Sequence, residues 1–188
     1  SYCHADPPGP QTMSLRFAES GAPSRPLHVL RPDEVAGFLD NEGALWAAWI
    51  TANGFKAASG ELCLLPGKDG GIAAAVAGIG TVQATQRQRF ALAKVVDRLP
   101  AGAWRLSSNL SSAELTECAL GWLLSAYSFD RYRPHRTTAD RATLICPAGV
   151  DQHSVLAMAE GEKLTRDLIN TPAQDMGPAE LETAARDL

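Results

Sequence analysis

Short apolar runs alternate with amphipathic stretches between residues 27 and 169, and this alternation limits the fold more than any other feature. LHVL (27–30), LCLL (62–65), IAAAVAGIG (72–80), AWRLSS (103–108) and ATLICP (142–147) have the length and apolar content of core strands. The stretches between them carry helix periodicity. A short helix is expected from Pro32 to about Asp40, because proline is tolerated in a first turn and Asp33 and Glu34 suit the positive end of the helix dipole. A second is expected from Gly43 to Asn53, with Leu45, Trp46, Trp49 and Ile50 on one apolar face and Asn53-Gly54 as its stop.

A third helix is expected from Gln83 to Arg98, burying Ala91, Leu92, Val95, Val96 and Leu99. Ser111 and Glu114 have the spacing of a capping box and open a helix to about Tyr127, with Leu115, Cys118, Ala119, Trp122, Leu123 and Ala126 inward. A last core helix is expected from Gln152 to Ile169, with Ala157, Gly161, Leu164 and Leu168 on one face. Glycine costs about 1 kcal/mol relative to alanine inside a helix, so a close contact at Gly161 is expected. Strand and helix thus alternate without internal repeat. The order implies an α/β domain, a mixed sheet flanked by helices on both faces, in which the two runs around PGKDGG form an antiparallel pair.

Several motifs are approached and missed. Around Gly67-Lys68, a Walker loop would need glycine where Leu62 stands and serine or threonine where Asp69 stands. Gly78-Ile79-Gly80 begins like a dinucleotide fingerprint, but Gln83 takes the place of its third glycine; a glycine-permitted bend after a strand is the plainer reading. There is no H-E-x-x-H and no G-x-S-x-G. His4, His28, His135 and His153 are scattered, and the acid pairs Asp33-Glu34 and Glu160/Glu162 read as solvated faces or dipole partners. Ser107, Ser108, Ser111 and Ser112 suit strand ends and caps. Cys3, Cys63, Cys118 and Cys146 form no C-x-x-C, and three of them lie in apolar runs, so they read as reduced thiols rather than disulfides or metal ligands.

Composition narrows the class. Seventeen basic against twenty-one acidic residues leave a net charge of −4, which gives no global attraction to nucleic acid or acidic membranes. No apolar run reaches the roughly 18 residues of a membrane helix, and no secretory signal opens the chain. Residues 1–24, rich in Pro, Gly and Ser, read as a flexible leader or as residues appended to the natural chain, with Met13 a candidate start. Residues 25–170 would be the α/β domain. The segment FDRYRPHRTTADR holds Arg131, Arg133, Arg136 and Arg141 beside Phe129 and Tyr132. It reads as a wet basic loop, with phosphate or base binding as the alternative.

The end of the chain is the most specific stretch. TRDLINTPAQDMGPAELETAA runs from Thr165 to Ala185. Thr171 precedes Pro172 and so leaves the helical region. Gly177-Pro178-Ala179-Glu180 then starts a new helix, whose Leu181, Ala184, Ala185 and Leu188 make an apolar stripe with no C-cap after it. Residues 171–188 therefore read as an interdomain linker with the start of a linker helix, and Leu188 as an internal position of a longer polypeptide.

Here the residues carry a resemblance. The Arg-x-Leu-x-Asn-x-Pro run from Arg166 to Pro172, followed by Pro178-x-x-Leu181, resembles the interdomain segment of the leucyl aminopeptidases, the cytosolic two-metal peptidases of M17 type. GWLLSAYSFDRYR, from Gly121 to Arg133, is similar to that family's helix end, and LCLLPGKDGGIAAAVAGIG is a weaker likeness. The resemblance spans residues 27 to 188 and implies a macro-domain-like N-terminal domain joined to a catalytic domain. For the parent it implies removal of N-terminal residues from peptides, two zinc or manganese ions, a hexamer and a cytoplasmic location. In that family the ligands and catalytic groups lie in the C-terminal domain, in Lys/Asp-rich motifs and an Asn-Thr-x-Ala-Glu-Gly-Arg motif. Asn170-Thr171 begins such a motif, but Gln174 and Asp175 do not complete it. No catalytic, cofactor-binding or metal residue is assigned to this sequence. The expected role is structural, in assembly or in substrate access. The alternative is a free-standing module that binds a nucleotide or ADP-ribose near AGIGT (77–81).

Overall fold

The protein is described here from a computed structural model that covers residues 15–41, 43–127, 141–172, 175 and 177–186. The chain order is β1 (Ser24–Leu30), a 3-10 turn (Pro32–Glu34), α1 (Val35–Asn41), α2 (Ala44–Ala52), β2 (Leu62–Pro66), β3 (Ile72–Gly78), α3 (Val82–Arg87), α4 (Ala93–Val96), β4 (Gly102–Ser107), α5 (Ser112–Ser125), β5 (Ala142–Leu144), α6 (Gln152–Asn170) and α7 (Pro178–Arg186).

One five-stranded sheet has the order β2-β3-β1-β4-β5. The pair β2–β3 is antiparallel, joined through PGKDGG; β1 runs parallel to both β3 and β4, and β4 parallel to β5. Successive side chains of a strand point to opposite faces, and both faces are covered. Leu27, Val29, Ala75 and Ala77 join α4, α5 and α6 in the larger core. Leu30, Ala74, Val76, Cys63 and Leu65 meet Ile50 of α2, with Val35, Phe38 and Leu39 of α1 packed alongside. The mixed sheet between two helical layers is therefore the architecture that the alternation implies.

Five local expectations differ from the structure. The helix expected from Gln83 to Arg98 is two short helices with a break between them. Gln88 is extended and Phe90 takes a φ of 60°. Glu117 of α5 holds this break: its carboxylate accepts the Phe90 N–H (3.1 Å) and the Arg89 Nε–H (3.2 Å). The residues expected to be buried there are buried all the same.

Residues 15–18 are part of the folded domain rather than of a flexible leader. Leu15 and Phe17 lie in the larger core, the Ala18 N–H donates to Leu144 O (2.7 Å), and the Leu15 N–H donates to Glu160 Oε1 (3.0 Å). In α6 the buried stripe is Val155, Ala159 and Lys163, at i, i+4 and i+8. Ala157 is exposed, and a Cβ at Gly161 would meet nothing within 4 Å. In α2 only Ile50 is fully buried, while Leu45 and Trp49 are 63% and 44% exposed. Finally, α7 buries none of its described residues, and Leu181 is 53% exposed.

Candidate functional site

Open α/β sheets hold ligands in the crevice outside the carboxyl ends of their parallel strands, where the strand order reverses. Here that point lies beside β1, between β3 and β4. Arg31 follows β1 directly and fills the place. Its guanidinium pairs with Glu114 and donates to Gly80 O (3.4 Å) and Thr85 Oγ1 (3.3 Å), and its side chain is 12% exposed. Glu114 accepts the Ser111 N–H (2.9 Å) and hydroxyl (2.7 Å), completing the capping box of α5. These Ser111 hydrogen bonds, with a smaller contribution from Arg31, hold the Glu114 carboxyl below the usual carboxylate range. Glu34 closes the rim, accepting the Arg31 N–H (2.7 Å) and the Asn109 Nδ2–H (3.2 Å).

The glycines of AGIGT are used in the same self-contained way. A Cβ on Gly78 would lie 2.4 Å from the Ala57 carbonyl carbon and from Ala58 O. The Gly60 N–H donates to Gly78 O, and the Gly80 N–H donates to Ala57 O, both at 3.0 Å. Gly80 has a φ of 76°, in the left-handed region. The turn is shaped to receive residues 57–60 of its own chain, and among the described residues its Gly78 and Gly80 N–H groups are already bonded to Glu61 O and Ala57 O. The nucleotide-module alternative finds no support in this geometry.

The remaining chemistry-bearing residues are dispersed. The His28 ring faces Phe38, with centroids 4.9 Å apart. His153 is exposed beside Asp151, which caps α6 by accepting the His153 and Ser154 N–H groups. Glu162 pairs with Arg166 at 2.9 Å. Burial pushes the Cys118 thiol up to about 12 and raises Cys63 and Cys146. Among the described residues, no three of His, Cys, Asp and Glu converge as metal ligands. The described donor set therefore does not fit a pair of divalent ions. Cys3, His4, His135 and basic residues 131–136 lie outside the described residues. Arg141 donates from Nη1 to Ala126 O at 3.0 Å, a bond that ties β5 to the end of α5.

What does converge is a polar junction at the far end of α5 and α6. Apolar packing of α6 stops near Lys163, and Ile169 is 77% exposed. From there the Tyr127 hydroxyl donates to Asp167 Oδ1 (2.8 Å) and accepts the Asn170 Nδ2–H (3.2 Å). The Lys163 Nζ, 8% exposed as a residue, donates to Asp167 Oδ2 (2.7 Å). The Thr171 hydroxyl donates to Asp167 O (2.7 Å). Arg166 lies 5.5 Å from the Tyr127 ring centroid, a cation–π distance. Burial raises the Tyr127 phenol above its ordinary value, so it stays a donor at neutral pH.

The two stretches that carry the family resemblance thus meet at one point. The Tyr127 end of GWLLSAY grips the Arg166–Thr171 segment that precedes α7. Gly121, at the head of the first stretch, leaves room for the Phe90 ring, whose atoms would lie 3.1 Å from a Cβ there. Periodicity missed this junction, and only the resemblance carried by its two stretches pointed to it. A groove of about 440 Å3 runs beside it, with Phe90, Leu120, Leu124 and Met158 as its apolar floor and Ser125, Glu162 and Arg166 among its polar lining.

Residues 25–147 match the N-terminal domain of the M17 aminopeptidases. The chain belongs to the M17 aminopeptidase family. Within that family it is 32% identical over 187 residues to a probable cytosol aminopeptidase of Leifsonia xyli, an alignment covering 90% of this chain and 37% of that protein. The crystal structure of cytosol aminopeptidase from Coxiella burnetii superposes with a TM-score of 0.77 at 28% identity, over 90% of this chain and 36% of that one. A tomato leucine aminopeptidase mutant shares the fold alone, with a TM-score of 0.65 at 18% identity, over 92% of this chain and 43% of that one. The chain therefore spans about 37% of the M17 relative from Leifsonia.

Proposed function

We propose that these residues form the non-catalytic N-terminal domain of a two-metal leucyl aminopeptidase that releases N-terminal amino acids from peptides. The observation that carries the reading is the match of residues 25–147 to the N-terminal domain of this family. The dispersal of the described His, Cys, Asp and Glu residues agrees with chemistry lodged elsewhere in the parent polypeptide. There, zinc or manganese would polarise the scissile carbonyl and lower the pKa of the attacking water. No step of that reaction is assigned to the described residues. We read the fold as macro-domain-like and the parent as a cytoplasmic hexamer.

The domain's own part is positional. It carries the linker on a helix whose last turn is held by Tyr127, Asp167 and Asn170, and so bears on assembly or substrate access. The test is an assay of the purified chain on leucine p-nitroanilide with added Mn2+ or Zn2+. No turnover is expected; metal-dependent turnover by these 188 residues overturns the reading.

A further inference from the structure

A sheet edge presents unpaired N–H and C=O groups on which another strand can build. The strand β2 is such an edge among the described residues, since there it pairs with β3 on one side only. In an antiparallel ladder, alternate residues turn their backbone groups toward and away from the partner. The Gly78 N–H donates to Glu61 O, and the register sets Cys63 against Val76 and Leu64 against Ala75. Counting by twos from Glu61, Cys63 and Leu65 turn toward β3, while Leu62 and Leu64 turn away from it.

Two indoles of α2 lie on that outward side. The Trp49 Nε1–H donates to Leu64 O at 3.0 Å, and the Trp46 Nε1–H donates to Pro66 O at 2.9 Å. Pro66 has no N–H to offer, and the pairing shifts register between Leu65 and Pro66. Trp46 also packs, partly buried, against the second core cluster, whereas Trp49 is 44% exposed, so core burial does not account for both. Their indole N–H groups occupy carbonyls that a new strand would use.

We propose that Trp46 and Trp49 are edge guards, which block antiparallel pairing of β2 with β2 of a second copy of this chain. Such a pairing is self-complementary about a two-fold axis, because the same outward Leu62 and Leu64 groups would serve both copies. The guard does not depend on what the parent protein catalyses.

The test is the Trp46→Phe/Trp49→Phe double variant of the chain, which keeps aromatic bulk and removes both N–H donors. Sedimentation velocity is measured from dilute to concentrated solution beside the unaltered chain, with amide hydrogen exchange at Leu62 and Leu64. The expected result is a concentration-dependent dimer absent from the unaltered chain, with exchange at Leu64 slowed about tenfold or more in the dimer. A variant that sediments like the unaltered chain overturns the proposal, and so does association without new protection on β2. Should the double variant fail to fold, Trp49→Phe alone, at the more exposed position, is read by the same two measurements.

Discussion

Replacing Gly78 with alanine should cost this domain about 3–5 kcal/mol, and the figure follows from the backbone around it. The new Cβ would stand 2.4 Å from the Ala57 carbonyl carbon and from Ala58 O, so the loop must retreat by about 1 Å to reach ordinary contact. That loop has little freedom. Ala57 is fully buried with a φ of 56°, and the Glu61 carboxylate accepts the Lys56 (3.0 Å) and Ala58 (2.9 Å) N–H groups. Forcing extra volume into packed structure costs about 1–3 kcal/mol. Retreat also breaks the Gly60–Gly78 and Gly80–Ala57 hydrogen bonds, at roughly 1 kcal/mol each.

Urea unfolding followed by circular dichroism measures the difference, with an unchanged m-value as the sign that only stability moved. Gly161→Ala is the control. It lies in an open stretch of α6 where a Cβ meets nothing, and it should gain up to about 1 kcal/mol. A loss under about 1 kcal/mol for Gly78→Ala would refute the reasoning, because the glycine would then not be required by its own loop.

Two other predictions concern charge and the junction. The folded-state pKa of Glu114 is depressed, so the stability it contributes is complete above its unfolded value of about 4.3 and disappears as pH falls through the lower folded value. Glu114→Gln should therefore flatten the acid limb of the Tm-against-pH curve while lowering Tm at pH 7; a parallel acid limb in the variant would contradict this. Tyr127→Phe should loosen the last turn of α6, speeding amide exchange at residues 167–171 by about 5–30-fold, the equivalent of roughly 1–2 kcal/mol, while amides of β1 and β3 keep their rates. Uniform change across the domain, or none at 167–171, would show that the junction does not hold that turn.

The junction also gives a physical reason for residues that otherwise look unrelated along the chain. Tyr127 and Asp167 are 40 positions apart, yet one hydroxyl joins the end of α5 to the turn that precedes Pro172. Apolar burial alone does not order that turn, because the buried stripe of α6 ends at Lys163, and Ile169 and Asn170 are exposed. A charged acceptor with donors from two helices orders it instead.

Sequence alone determined what depends on near neighbours. Strand length and apolar content marked β1, β3 and β4. The spacing of Ser111 and Glu114 marked the start of α5, and Pro178 the start of α7. Arg166–Pro172 with Gly121–Arg133 marked the family, because each signal is complete within a few residues. Tertiary structure alone decided which strands adjoin beyond the β2–β3 pair, where the 83–98 segment breaks, which face α6 buries and what the tryptophans of α2 touch. Each of those outcomes rests on a partner far along the chain: Glu117 for Phe90, Glu160 for Leu15, Leu64 for Trp49. A local hydrophobic period reports that a face can be buried, but the element that covers it is chosen by the global packing, which no short window of sequence contains.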